Sequence, residues 1–195
     1  MANPNVGMMY PVWAPLATHT DGSMPTYSAG TVIQEARNAT VTREYANNPL
    51  YGDDRIVDDD NGMTGMTMTF ESTGLSDADR KAILGEEDYG TSGASGLWVS
   101  DNETPYGGFG YIRKMRAAGT VTYEAWLTLK IKFQEESMTT STKEGSIQWN
   151  TPTLNGRAAG LDVDGTDKQR YQLHKTFNAI ADAKAWLNAQ AGITG

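Results

Sequence analysis

The side chains best suited to acid–base or metal chemistry in this chain are its two histidines, His19 and His174. Histidine titrates near neutral pH and is a common metal ligand, so each invites a catalytic or metal-binding interpretation. Neither has a nucleophile or a second ligand at motif spacing. His19 lies in a polar N-terminal loop, and His174 falls on the polar side of a predicted strand. The pattern therefore predicts two solvated surface histidines.

Aspartates cluster at residues 58–60 and at residues 161–167. Asp162, Asp164 and Asp167 invite a calcium interpretation, because calcium loops alternate oxygen ligands, turn on a glycine and end on a glutamate. Here a glycine directly follows the second acid, and no glutamate closes the loop. A turn with Asp-Gly chemistry is the better prediction. The acids at 58–60 alternate across a strand, which favours solvation over one shared cation.

Two carboxylate pairs and a glycine run are the remaining candidates for chemistry. Glu86–Glu87 and Glu135–Glu136 are sequence neighbours that do not share a face, so acid–base work requires a cleft that brings acids together. Residues 107–110 lack the lysine and the strand-then-helix setting of a phosphate loop. They are better interpreted as a strand start that another backbone approaches closely. We expect no enzyme, no cofactor and no metal site.

Composition narrows the class of protein further. The 195 residues fit one domain and include no cysteine, which excludes disulfides and thiolate sites. Abundant threonine and glycine favour strands joined by turns. The net charge of −8 disfavours a protein that grips nucleic acid. We expect no transmembrane helix and no signal peptide.

Alternating apolar residues predict a mainly β fold of eight to ten short strands, in a sandwich or barrel. The clearest strand covers residues 121–133, with Trp126 standing among its polar positions. Residues 109–115 precede it, and Gly119 predicts a hairpin between the two. The other predicted strands cover residues 38–45, 66–71, 147–149, 154–161 and 171–177.

Two helices are predicted to flank the sheets. Ser76 is a good N-cap for a helix over residues 77–84 that stops at Gly85. Near the end of the chain, Asn178 is the expected cap of a helix within residues 178–191, and Gly192 ends it. Its stripe of Ile180, Ala183 and Leu187, with Trp186 beside it, is expected to pack against the sheets.

Residues 45–62 interrupt the core pattern with a polar, turn-rich stretch. They predict a long hairpin or arm that projects from the core, and long loops in compact domains are often functional. Its apolar positions are few, and its charged positions are mostly aspartates. The arm residues singled out are Tyr45, Leu50, Tyr51, Asp53, Asp54, Arg55, Ile56, Asp58, Asp59 and Asp60.

The chain resembles the major tail proteins, or tail tube subunits, of long non-contractile phage tails (siphophages). No single motif is decisive, but the pieces occur in the family's order and cover nearly the whole chain. They are residues 9–16, 40–55, 75–77, 105–111, 145–152 and 185–188.

The resemblance implies a β-sandwich or barrel with a flanking helix, assembled as hexameric rings that stack into a tube. An N-terminal arm, here about residues 1–20, and the long hairpin make contacts between subunits and rings. DNA passes through the lumen during infection without specific binding. The implied partners are other copies of the chain and the tape measure, tail terminator and distal tail proteins. The implied location is the virion, after assembly in the bacterial cytoplasm.

Within that interpretation, residues 45–60 form the inter-subunit arm. Arg43 and Arg55 are candidates to pair with acids of a neighbouring subunit, and Asp53 and Asp54 are candidates for lumen or ring contacts. Asp58, Asp59 and Asp60 are further candidates for lumen or ring contacts. An acidic or neutral lumen would let DNA slide, because lysine and arginine would hold its phosphates.

Two other function classes remain open at the level of sequence. The first is an immunoglobulin-like module on a surface that binds glycan or protein through exposed Trp98, Tyr106 and Trp126. The second is a tube subunit of a phage-derived bacteriocin or secretion machine, which carries no DNA.

Overall fold

The computed structural model describes residues 5–33, 36–60, 62–88, 98–99, 103–117, 119–135 and 151–193. The described chain is mainly β with two helices, and the sandwich or barrel class predicted from the sequence fits it. The elements are β1 (Asn5–Thr18), β2 (Thr26–Tyr27), β3 (Thr31–Val32), β4 (Ala36–Tyr45), β5 (Asn48–Gly52), β6 (Arg55–Asp60), β7 (Met63–Ser72), α1 (Asp77–Leu84), β8 (Glu87–Asp88), β9 (Trp98–Val99), β10 (Gly107–Ala117), β11 (Thr120–Glu135), β12 (Thr153–Ala158), β13 (Gln172–Phe177) and α2 (Ile180–Ala191).

A large antiparallel sheet runs in the order β2-β1-β10-β11-β12-β7-β4. Strand β11 organises it, because its first half pairs with β13 and its second half with β12, while β10 lies along its other edge. The β10–β11 turn contains Gly119 with φ of 85°, as the glycine predicted. The predicted strand at residues 147–149 lies outside the described residues.

A bulge in β11 lets one strand serve two hydrophobic clusters. The β10–β11 register shifts between the Gly107–Ile131 and Phe109–Thr128 pairs. As a result, Leu127 and Leu129 pack under α2, while Ile131 enters the opposite cluster. The backbone at the shift stays satisfied, since Tyr27 Oη donates to the Leu129 carbonyl at 2.7 Å. Burial raises the pKa of Tyr27 far above its usual range.

The larger cluster is formed by side chains of β1, β7, β10, β11, β12 and α1. It contains Trp13, Phe70, Phe109 and Phe133, all fully buried, with ring centroids 4.9 to 5.7 Å apart in tilted or edge-on pairs. Residues 5–18, which fall in the expected N-terminal arm, form β1 within this sheet. The burial of Trp13 in the core holds β1 in that position.

The first helix follows its local sequence, and the second departs from it at one end. Ser76 caps α1 in a capping box with Asp79, and Gly85 ends α1 at φ of 75°. The prediction that Asn178 caps α2 is wrong, because the helix begins at Ile180 after Ala179 and has no side-chain cap. Ala183, Leu187 and Ala191 form its buried stripe, and Gly192 ends it as predicted.

The glycine run at residues 107–110 begins β10, as expected. What approaches it closely is mostly side chains rather than backbone. The Trp13 ring lies over Gly107, the Tyr27 ring over Gly108 and the Leu187 side chain over Gly110. Larger residues would hold these groups away from the sheet.

Candidate assembly interface

Strands β5 and β6 form a hairpin that is a two-stranded sheet of its own, separate from the main sheet. Asp53 and Asp54 connect the strands with φ of 50° and 59°, and Gly52 pairs with Arg55 across the turn. Two successive residues with positive φ are typical of the hairpin turn that follows the natural twist of strands. Aspartate tolerates this conformation better than most residues. Of the residues singled out as an arm, those from 50 to 60 lie in this hairpin, whereas Tyr45 ends β4 of the main sheet and pairs with Met63.

The hairpin and its base display large apolar side chains to solvent. Tyr45, Leu50, Tyr51, Ile56 and Val57 are between 58 and 66% exposed. Tyr51 and Ile56 are register partners, so their side chains lie on one face of the hairpin. Grouped exposed apolar residues of this kind mark interaction surfaces.

Val57 belongs to this exposed set and was missed by the sequence interpretation. A register shift lies between the Leu50–Asp58 and Tyr51–Ile56 pairs, so Val57 is the extra residue of a bulge. The signal was a second β-branched residue directly after Ile56, where alternation should have given a polar one.

Acidic residues accompany the apolar ones on the same element. Residues 48–60 contain five aspartates and one arginine, a net charge of −4 out of −8 for the chain. Asp53, Asp54 and Arg55 are exposed at the turn. Asp58 and Asp59 are exposed further down β6, opposite Leu50 and Pro49, and Asp60 pairs with Asn48 at the base. The strand acids therefore alternate between the two hairpin faces.

Arg43, the remaining predicted contact, lies on β4 and is exposed. Its Nη2 donates to Gln172 Oε1 at 3.1 Å, so it contacts an amide of its own chain. It lines a cleft between β4 and β10 with Tyr111, Arg113 and Trp126. Burial raises the pKa of Tyr111, and the positive charges of Arg113 and Arg43 partly oppose that shift.

A second cleft, which we call the basic cleft, lies on the outer face of β7, β12 and the end of β11, and has a volume of about 740 Å³. Lys132 and Arg157 line it, and Lys132 Nζ lies 4.4 Å from the centroid of the Tyr106 ring. Lys130 Nζ lies 4.6 Å from the same centroid. The sequence interpretation missed this site. Lys130 and Lys132 occupy alternate, polar positions of β11 and are visible in the sequence. The pairing of β11 with β12 brings Arg157 beside them, and no sequence pattern shows this.

The aspartate loop at residues 161–167 uses its carboxylates to organise its own backbone. The Asp162 carboxylate binds backbone N–H groups of the loop, since it accepts hydrogen bonds from the N–H groups of Asp164, Gly165 and Asp167 at 2.8 to 3.1 Å. Asp164 accepts from Thr166 and from Arg170, and these hydrogen bonds hold the pKa of its carboxyl below the usual value. This is the turn that the sequence favoured.

His19 is not solvated as expected. Its side chain is only 12% exposed, and its Nε2 lies 3.2 Å from the Asp162 carbonyl oxygen. His174 is exposed, but its ring stacks on Trp126 with centroids 4.5 Å apart. Across the described residues, no group of three or more histidine, aspartate or glutamate side chains is arranged to hold a metal ion.

The acid pairs contribute one structural cluster. Glu135 accepts two hydrogen bonds from the Arg80 guanidinium at 2.8 and 2.9 Å, and Glu86 accepts a third at 3.2 Å. The bond to Glu135 is the main cause of a raised pKa of Arg80. The cluster ties α1 to the end of β11. Glu136 lies outside the described residues.

The structure describes the side chains of two of the three aromatic residues proposed as a binding platform, and these two lie apart. Tyr106 and Trp126 line different clefts, and the side chain of Trp98 lies outside the described residues. Neither helix of the described chain is long and apolar enough to cross a membrane. Comparison with protein-family models and with curated proteins found no match for this chain.

Proposed function

We propose that the chain is a structural virion protein, the tail tube subunit of a long non-contractile phage tail. It assembles into hexameric rings that stack into a tube through which genome DNA passes. The observation that carries the proposal is the hairpin of β5 and β6, a separate two-stranded element with exposed apolar side chains. The ring number and the DNA conduit come from the family resemblance.

The hairpin has a physical reason to bind another copy. A two-stranded hairpin alone is marginally stable in water, and this one is not part of the main sheet. Leu50, Tyr51 and Ile56 gain burial only when a partner covers them. A hairpin that contacts a different surface of the next copy makes a head-to-tail interface, which closes into rings when the rotation permits.

The remaining parts of the proposal follow the same resemblance. Other copies of the chain are the main partner, and tape measure, tail terminator and distal tail proteins are further partners. The protein acts in the virion after assembly in the bacterial cytoplasm, without enzymatic activity or a cofactor. The tube of a phage-derived bacteriocin or secretion machine needs the same subunit contacts, and the neighbouring genes distinguish it. A glycan-binding module lacks support, because Tyr106 and Trp126 lie in separate clefts.

The test is negative-stain electron microscopy of the purified protein over a range of concentrations, with light scattering alongside. We expect rings or tubes with an open lumen. A variant that lacks residues 47–60 should remain a folded monomer, checked by circular dichroism and sedimentation. Tubes from that variant like those of the wild type would contradict the role of the hairpin. A wild type that stays monomeric at every concentration would count against the proposed function.

A further inference from the structure

The basic cleft carries an unfavourable arrangement of like charges. Lys132 and Arg157 are direct register partners on β11 and β12. Opposed side chains of neighbouring strands lie close together, and like charges there repel. Lys130 adds a third cation on the same face, with its ammonium over the Tyr106 ring that Lys132 also contacts.

A carboxylate approaches the cleft at Gly65, where Glu44 Oε2 lies close to this lining residue, but it forms no ion pair with Lys132 or Arg157. Lys132 and Arg157 have no ion-pair partner among the described residues, whose ion pairs involve His19, Arg80 and Arg170. The residues that line the cleft include no aspartate or glutamate. An anionic group brought by a partner would therefore turn a repulsive arrangement into an attractive one.

The lining of the basic cleft is also partly apolar. Tyr106 is 40% exposed and contributes apolar surface beside the two cations, whereas Met68, Ala158 and Tyr171 reach the cleft but are buried in the core. A partner that fits must therefore present acids and apolar side chains together. A nucleic acid backbone presents a uniform line of phosphates, which fits this mixture less well.

We infer that the basic cleft of one copy receives the acidic hairpin of β5 and β6 from a neighbouring copy. The hairpin combines a net charge of −4 with exposed Leu50, Tyr51 and Ile56. Its aspartates match Lys132 and Arg157 in charge, and Tyr51 and Ile56, which share one hairpin face, match the exposed ring of Tyr106. The inference rests on the proposed function, and it identifies the receiving surface of the head-to-tail contact.

The inference is tested by exchanging the charges of the two surfaces in full-length protein. One variant carries K132E and R157E, and a second carries D58K and D59K. Each alone should fail to assemble at concentrations where the wild type assembles, because like charges then meet. A control variant with R116E and K175E lowers the net charge by the same amount as K132E/R157E. Its two substitutions are at exposed residues outside the cleft and the hairpin, so it should assemble normally.

Mixing the two variants provides the decisive readout. In a mixture the lysines of one hairpin meet the glutamates of the other copy's cleft, and the remaining contact is of the original kind. We expect mixed assemblies of alternating copies, seen by sedimentation and electron microscopy. Wild-type assembly by the K132E/R157E variant, or no rescue in the mixture, overturns the inference and leaves the proposed function standing. If no wild-type assembly occurs at all, both fail. If that variant assembles but loses binding to a DNA duplex, the cleft is a nucleic acid site.

Discussion

Gly107 has the closest contacts among the glycines at the start of β10. A Cβ at this position would lie 2.4 Å from Trp13 Cζ2 and 2.7 Å from the Ala14 carbonyl oxygen. Trp13 is fully buried and its Nε1 donates to the Ala82 carbonyl at 2.8 Å, so the ring cannot move without losing that bond. Glycine is therefore required here by packing and not by a positive φ.

Gly107→Ala is expected to destabilise the fold. Overpacking a well-filled core costs about 1–3 kcal/mol in the free energy of unfolding. Urea denaturation would measure the loss. Gly7→Ala is the matched control, since Gly7 also lies in a strand and its Cβ would meet open space. Equal stabilities of the two variants would contradict the packing argument.

Asp164 offers a prediction about pH. The hydrogen bond from the Thr166 hydroxyl is the largest cause of its lowered pKa, followed by the bond from Arg170. A carboxyl whose pKa is lower in the folded state contributes stability above its unfolded pKa and loses it as pH falls through the folded pKa. In Thr166→Ala the Asp164 pKa should rise toward its ordinary value.

Carbon-13 NMR titration of the Asp164 carboxyl would measure this shift. Because the folded and unfolded pKa values of Asp164 would then lie closer together, the carboxyl should contribute less stability at neutral pH, and less stability should be lost as pH falls between those two pKa values. Thr40→Ala, an exposed threonine on β4, is the control and should leave the Asp164 pKa unchanged. An Asp164 pKa that is the same in Thr166→Ala and wild type would contradict the assigned cause.

At the scale of elements, α1 packs Ile83 and Leu84 into the core and is tied to the end of β11 by the hydrogen bonds from Arg80 to Glu135. Its capping box uses Ser76 Oγ, which accepts from the Asp79 N–H at 3.2 Å. Ser76→Ala should lower the free energy of unfolding by about 1 kcal/mol, because a helix donor loses its partner. Thr73→Ala, exposed three residues earlier, should change it little. Thermal and urea unfolding would compare the two, and similar losses would argue against the cap.

How far an element could be predicted depends on how local its signals are. Helix α1 follows the sequence at both ends, because Ser76, Asp79 and Gly85 act within one helix. The start of α2 was misplaced, because Asn178 makes no cap and packing of Ala183 and Leu187 on the sheet positions the helix. The bulge in β11 was invisible, since it is defined by the register with β10.

At the scale of the whole molecule, the sequence located the hairpin but not the basic cleft. The hairpin is continuous in sequence, so its polar, turn-rich composition is enough to predict a projecting element there. The basic cleft joins Lys132 to Arg157 through the pairing of β11 with β12, which no local pattern reveals. Contacts between residues far apart in sequence depend on strand register, and register follows from the folded core.

Assembly should depend on the apolar side chains of the hairpin as well as on its acids. In the isolated chain, replacing Leu50, Tyr51 and Ile56 by serine should change stability little, because all three are largely exposed. In an assembled ring the wild type buries these three side chains, and the serine variant lacks that burial, which is worth up to about 1.5–3 kcal/mol for each side chain. Since about 1.4 kcal/mol corresponds to a tenfold change in affinity, the concentration needed for assembly should rise steeply. Light scattering over a dilution series measures that concentration.

The control variant replaces exposed Met24 and Val32 by serine, away from the hairpin. Assembly that weakens equally in both variants would mean that general surface hydrophobicity, and not the hairpin, drives association.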